Sequence, residues 1–220
     1  LALLGCFASL VWISAVPNLP VAHELMHRRG AFERFLANIA ATFFFDPHRA
    51  IGHVHTHHLH FDTENDSDTP QRGEKFYQFI WRATKGAYLD TFELEKRRLS
   101  VNNKSVWGPS SLVFWGLVAV FGTPLGIGLY AGVLAGSLTL AVMVTTKFVL
   151  EALNYLQHYG LQRVTSQPIE DRHTWHHFST MSRIAGVEIT NHIDHHRDGF
   201  LPFYNLQVHK GAPEMPSVFI

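Results

Sequence analysis

Sixteen of the 220 residues are histidine, and nine of them fall into four tight sets. His23 and His27 belong to HELMH, and His53, His57 and His58 to HVHTHH. His158 stands alone in NYLQHYG, and His192, His195 and His196 make HIDHH. Neutral imidazole is the commonest protein ligand for iron, copper and zinc. Spacings of three or four residues put two rings on one helix face, close enough to share an ion. Adjacent histidines point about 100° apart on a helix, so each HH pair can offer one ring to one ion and the next ring to another. Nine imidazoles exceed what one ion can take, and the sets together predict a two-metal centre.

Two other chemistries fit parts of the pattern. HELMH matches HExxH, in which two histidines bind zinc and the glutamate is a general base; an intramembrane zinc protease is the alternative from a different class. Such a zinc needs three protein ligands and an open position, and that reading leaves seven clustered histidines unexplained. Glu24-x-x-His27 and Glu170-x-x-His173 fit the letters of the soluble di-iron carboxylate bundles, but Glu170 follows Pro168 in a loop-like stretch.

The remaining histidines divide differently. His48, His60 and His209 read as solvated or hydrogen-bonded side chains, and His55 lies within the second set but off its pattern. His173, His176 and His177 form a further small cluster that reads as support for the ligands. Metal-bound imidazoles commonly donate their other N–H to a carboxylate or carbonyl. Glu24, Glu151, Asp194, Asp62, Asp66 and Asp68 are the candidate acceptors, with Asn154 and His173 as further supporting groups.

These side chains need elements that bring them to one place. Residues 1–22 are apolar apart from Ser9, Ser14 and Asn18, and reach the roughly 20 residues a membrane span needs. Residues 35–45 are apolar but too short to span, and read as a re-entrant, interfacial or buried helix. From about 48 to 105 the chain is polar. Residues 109–157 are nearly free of charge until Lys147 and Glu151; they suit two spans, with the break expected near Gly122–Pro124. Residues 160–220 are polar again, with loop signals around SQPIEDR. Two spans in 109–157 return the chain to the side where the first two sets lie. On the second of them Lys147, Glu151, Asn154, Tyr155 and His158 share one face, and polar groups inside a membrane helix default to a functional reading. Phe43, Phe44, Phe45, Phe114, Trp115 and Phe121 are available for packing, lipid contact or an apolar substrate route.

The expectation is therefore an all-α fold of polytopic membrane helices with a histidine-rich helical cap, a single domain over 1–220. The chain opens inside an apolar run and its last residues, SVFI, begin another, which reads as a fragment truncated at both ends. The connector carries Arg72, Lys75, Arg82, Lys85, Lys96, Arg97, Arg98 and Lys104; an excess of Lys and Arg marks the cytoplasmic face, so the cap should face the cytoplasm. Net charge is zero and charged residues are 16% of the chain, which gives a nucleic-acid partner no electrostatic footprint. A lone Cys6 excludes an intrachain disulfide and any cysteine-built zinc or iron–sulfur site. No Gly-rich dinucleotide fingerprint is present, so electrons for any redox chemistry must come from outside.

PVAHELMHRR, HVHTHH followed by DTENDSDTP, NYLQHYGL and TNHIDHH together resemble the histidine boxes of the integral-membrane di-iron hydroxylases, the superfamily of alkane monooxygenases and fatty-acid desaturases. FDTENDSDTPQRGEKFY, EITNHIDHHRDG and APEMPSVFI look most like hydroxylase subunits of the xylene monooxygenase type. NHIDHH departs from the wording usual in the alkane enzymes, which leans the reading toward methyl-aromatic substrates. The resemblance runs from about residue 15 to the end. It implies His23, His27, His53, His57, His58, His158, His192, His195 and His196 as ligands of two non-haem iron ions. It implies hydroxylation of a methyl group of xylene or toluene to a primary alcohol with O2. Electrons would come from NADH through a separate reductase or a ferredoxin- or rubredoxin-type protein. The location implied is a bacterial cytoplasmic (inner) membrane, among lipids. A terminal alkane hydroxylase or a lipid desaturase is the alternative within the same superfamily.

Overall fold

The computed structural model describes residues 1–165 and 167–215; the SVFI segment lies outside them. The chain is about 64% helical and carries no strand among the described residues. Among the described residues, three helices are long and apolar enough to cross a membrane: α1 (Ala2–Met26), and two later ones over Leu112–Ala131 and Val133–His158. In α1 and Leu112–Ala131 only 17% of the most apolar window is buried, so most of that surface is left for lipid. This is an all-α integral membrane protein.

Pro17 shapes α1. Proline has no N–H and its ring clashes with the carbonyl four residues back. The helix answers with a π-helical turn over Ser14–Asn18 before resuming at Leu19–Met26. A second helix, α2 (Ala31–Thr42), follows. At twelve residues it is too short to span, as the sequence predicts. A short segment, α3, covers 49–60: an α turn Arg49–Gly52, a π-helical turn His53–His57 and His58–His60. Then come α4 (Phe76–Ser100), α5 (Leu112–Ala131), α6 (Val133–His158), α7 (Thr180–Ala185) and α8 (His192–Arg197).

The break between the last two spans lies at Gly132, not near Gly122–Pro124. Gly132 has φ +93°, a conformation open mainly to glycine, whereas Pro124 sits inside α5. Length decides between the two sites: a break at 122–124 would leave the first helix about 11 residues, half of what crosses a bilayer. Beyond Gly132 the two helices come close. A Cβ on Gly136 would lie 2.6 Å from the Pro124 carbonyl oxygen and 2.8 Å from the Gly128 Cα.

The chain divides into two compact units. One comprises Leu1–Gly52 and Tyr88–Leu150. Its core is built from Leu19, Ala22 and Met26 of α1, Ala37 and Ala41 of α2, and Phe44 and Leu150. The alanines let α2 lie close to α1, and the Asn18 side-chain amide donates to the Ala40 carbonyl at 2.9 Å. Polar groups are also buried here. Lys147 of α6 donates to Asp46 at 2.7 Å, Arg49 lies 3.4 Å from the same oxygen, and the His48 Nε2 is 2.9 Å from the Val113 carbonyl. Burial acts to raise the Asp46 carboxyl, but the Lys147 and Arg49 charges outweigh it and hold it below the usual range.

The other unit comprises His53–Ala87 and Glu151–Ile220. Phe79, Ile80 and Ala83 of α4 pack with Phe76 and Tyr155. Arg82 grips the acidic segment from α4: its guanidinium donates to both Glu74 oxygens at 2.8 Å, to the Ser67 carbonyl at 3.0 Å and to the Thr69 carbonyl at 2.8 Å. Gly86 permits that approach, since a Cβ there would meet the Ser67 Cβ at 2.3 Å.

Candidate metal centre

The His53–His57 turn is π-helical, a geometry that recurs at functional sites. It stacks the His53 and His57 rings at 5.0 Å between centroids. His158 ends α6, and His192, His195 and His196 occupy the short α8. In this unit the seven imidazoles fall into two groups. The ligand nitrogens of His53, His58 and His195 lie within 4.8 Å of one another, and so do those of His57, His158, His192 and His196. Each adjacent pair divides: His57 and His58 go to different groups, and so do His195 and His196. That is the division that a rotation of about 100° per residue predicts.

In the other unit His23 and His27 face each other with ring centroids 5.0 Å apart, and both are buried. Glu24, between them, is ion-paired with Arg28, which engages the carboxylate that a zinc-protease reading needs as a general base.

The four-histidine group is buried throughout. The Nε2 of His192 lies 3.1 Å from that of His158 and 3.0 Å from that of His196. Across the other group, His195 Nε2 is 3.0 Å from His58 Nε2. A neutral imidazole has one N–H and one lone pair. The His158 Nδ1 donates to Asp62 at 2.9 Å, so its Nε2 presents a lone pair to the group. His57 does the same through Asp66, 2.7 Å from its Nδ1. The Nε2 lone pairs of His158 and His57 thus point into a buried group of imidazole nitrogens that lie within 4.8 Å of one another, an arrangement that could hold a metal ion. The donor set fits a metal that accepts imidazole, iron included.

Protonation would spoil that arrangement, and burial opposes it. His196 is held well below the usual histidine range by burial first, then by the facing His192, His58, His57 and His158. Asp66 is kept ionised: burial acts to raise it, but the His57 charge and hydrogen bonds from His57, Thr69 and the Asp68 N–H lower it more. An ionised carboxylate only accepts, which fixes the proton of His57 on Nδ1. Arg163 adds a clamp. Its guanidinium lies over Phe61 at 4.6 Å and Phe61 stacks on His196 at 3.9 Å; its N–H groups reach the Phe61 and Leu59 carbonyls.

The candidate supporting residues are distributed less simply. Glu151 is fully buried and accepts from the Asn154 amide at 3.1 Å. Asp194 accepts from the Gln207 N–H at 2.8 Å and pairs with His209 at 3.0 Å. The Asp68 backbone N–H donates to Asp66 at 3.1 Å. His173 caps its own turn by accepting from the Glu170 N–H at 2.9 Å. His177 accepts from the Ser179 N–H at 3.4 Å.

His176 accepts at Nε2 from the Ile193 N–H at 3.4 Å and sits 3.1 Å from the Thr174 hydroxyl. It thereby supports the start of α8, and burial pushes it down to about 4. His48 is buried against Val113 and hydrogen-bonded, and His55 is exposed. Sequence reasoning missed Asp46, Thr69 and Asn191. Asn191, fully buried, donates to Glu188 at 2.8 Å just before α8. A helix-capping residue type directly ahead of HIDHH was its only signal.

Comparison with known proteins follows the same lines. The chain is 45% identical to the xylene/toluene monooxygenase hydroxylase component of Pseudomonas putida, over 98% of this chain and 58% of that protein. It is 27% identical to alkane 1-monooxygenase 1 of Pseudomonas aeruginosa, over 97% of this chain and 57% of the relative. It is 30% identical to alkane 1-monooxygenase of Acinetobacter baylyi, over 89% and 49%. The chain thus spans about half to three fifths of the length of these curated relatives. The fatty acid desaturase family model matches residues 1–215, and this chain belongs to that family.

Proposed function

We propose that this chain is the metal-holding part of a membrane monooxygenase that hydroxylates a methyl group of an apolar substrate, of the xylene or toluene side-chain type, to a primary alcohol. The observation that carries the reading is the division of seven imidazoles into two groups, with adjacent histidines split between them. In this reading His57, His158, His192 and His196 hold one ion, His53, His58 and His195 hold a second, and His23 and His27 are further metal ligands. The ions would be two non-haem irons, which when bound would supply O2 activation: with two electrons from an external donor and two protons, one oxygen atom enters a substrate C–H bond and the other leaves as water.

The chain's own residues do the rest. Asp62 and Asp66 accept hydrogen bonds from the Nδ1–H of His158 and His57 and so turn each Nε2 inward. Burial keeps His196 neutral and able to ligate. The exposed apolar faces of α1 and α5 lie where a lipid-dissolved substrate collects, and Phe45 and Phe121 meet edge to face at 5.9 Å. Arg72, Lys75, Lys85, Lys96, Arg97, Arg98 and Lys104 are exposed on the connector between the first and second spans. Their charge supports a cytoplasm-facing centre in a bacterial inner membrane, served from that side by an NADH-dependent reductase or a ferredoxin- or rubredoxin-type carrier.

The substrate assignment leans on the 45% identity to the xylene/toluene enzyme component. The test is metal and product analysis on the reconstituted protein with a reductase. Two irons per chain and methylbenzyl alcohol from p-xylene are expected, with little 1-octanol from octane. One zinc and no O2 uptake would sink the proposal, and octanol as the main product would move the substrate class to alkanes.

A further inference from the structure

Two of the buried imidazoles, His57 and His158, sit on different elements, yet the two aspartates that hold them meet at one hydroxyl, Asp66 through its carboxylate and Asp62 through its backbone N–H. The Thr69 hydroxyl donates to Asp66 Oδ2 at 2.6 Å, the same oxygen that accepts from His57 Nδ1 at 2.7 Å. The Thr69 oxygen in turn accepts from the Asp62 backbone N–H at 2.8 Å, and the Asp62 carboxylate accepts from His158 Nδ1 at 2.9 Å. The chain His57–Asp66–Thr69–Asp62–His158 is therefore continuous. Its three middle members are all buried.

A hydroxyl has one donor and can accept as well, and here both capacities are used on the two carboxylate residues. Asp62 has φ +59°, a left-handed conformation that costs energy in any residue but glycine and needs surrounding contacts to hold it. Thr69 supplies one of those contacts, and the Arg163 N–H, which donates to the Asp62 carbonyl at 2.7 Å, supplies another. With valine at position 69, Asp66 loses a donor and the Asp62 amide loses its acceptor. The Asp66 carboxylate then keeps only its bonds with His57 and the Asp68 N–H, and the Asp62 backbone keeps only the Arg163 contact, so both aspartates, and with them the two rings, are held less firmly.

We infer that Thr69 is a positioning residue of the metal centre. Its one hydroxyl couples the orientations of His57 and His158, so that their Nε2 atoms face the same ion together. This rests on the reading of those histidines as ligands. Loss of a partner that orients a metal-bound histidine typically costs 10- to 100-fold in metal affinity.

The experiment compares wild type, Thr69→Val and Thr69→Ser in the whole chain, loaded with Fe(II) alone and, as an optical probe, Co(II) alone. Thr69→Val is expected to give up one of its two ions to a chelator roughly 10- to 100-fold faster than wild type. The Co(II) bands of that ion should shift and those of the other should stay. Thr69→Ser, which keeps the hydroxyl, is expected to match wild type. Release of both ions from Thr69→Val at the wild-type rate overturns the inference, and so does an equal loss in Thr69→Ser, which would assign the effect to the methyl group. A second measurement uses wild type alone, in case Thr69→Val does not fold. In the metal-loaded chain the 15N resonances of His57 and His158 must show Nδ1 protonated, and an Nε2–H form of either overturns it. A wild type that takes up no metal overturns the metal-centre reading itself, a result distinct from two-ion binding that ignores Thr69.

Discussion

Lys147 lies inside the apolar helix α6 and donates to Asp46 at 2.7 Å, with both side chains about 5% exposed or less. A second cation, Arg49, sits 3.4 Å from the same carboxylate oxygen. The two partners are therefore unequal. Removing one partner of a buried pair costs about 3–5 kcal/mol, because an uncompensated charge stays behind. Asp46→Asn leaves two buried cations facing a neutral amide, whereas Lys147→Met leaves Asp46 with Arg49. Thermal unfolding in detergent is expected to show the larger loss for Asp46→Asn. Equal losses would mean that Arg49 does not share the carboxylate.

The α5–α6 contact predicts a glycine-specific effect. Gly136→Ala places a methyl against the Pro124 carbonyl and the Gly128 backbone, which cannot move as a flexible side chain does. Nothing lies within 4 Å of a Cβ built at Gly126. Gly136→Ala is expected to destabilise the hairpin by about 1–3 kcal/mol, the range of overpacking. Gly126→Ala should be nearly neutral. The measurement is steric-trap or denaturant unfolding of both variants side by side.

The histidines are expected to separate by position rather than by number. His57→Ala should lower the iron content from two towards one per chain and abolish product formation. His55→Ala, two residues away and exposed, should leave both unchanged. Metal analysis of the purified variants checks this, and loss of iron from His55→Ala would contradict the grouping.

Acid should weaken the region around α8 before the rest. His176 is held at about 4 in the folded chain, against about 6.5 unfolded. Between those values the unfolded form binds a proton that the folded form does not. Stability from this residue is therefore intact above pH 6.5 and lost as pH falls towards 4. Amide exchange at His176 and Met215, which are tied by the His176 N–H to Pro213 carbonyl and Met215 N–H to His176 carbonyl bonds at 2.9 and 2.7 Å, should accelerate across that window. His176→Gln, which accepts at its side-chain oxygen without titrating there, should flatten the dependence.

Much of this protein is legible in the order of its residues, because the signals involved are local. Apolar length marks α1, α5 and α6 as spans and marks α2 as too short. Histidine spacing at one helical turn marks three of the four sets, and adjacent pairs announce two groups. The placement of the break was not legible. Pro124 is the usual helix-breaking signal, yet a long apolar helix tolerates it, and the turn went to Gly132, where backbone freedom and span length agree.

The supporting contacts depended on tertiary structure. Asp62, Asp66, Asp68 and Asp194 are chemically alike in the sequence, and any of them fits an imidazole N–H. Only folding shows that Asp62 and Asp66 take His158 and His57 while Asp194 turns to His209. Asp46 and Lys147 are separated by 101 positions, and no local pattern links them. Spacing along a helix is fixed by covalent geometry and so can be read from sequence. Which carboxylate meets which ring is decided by burial and hydrogen bonding between distant segments, and exists only once they have packed.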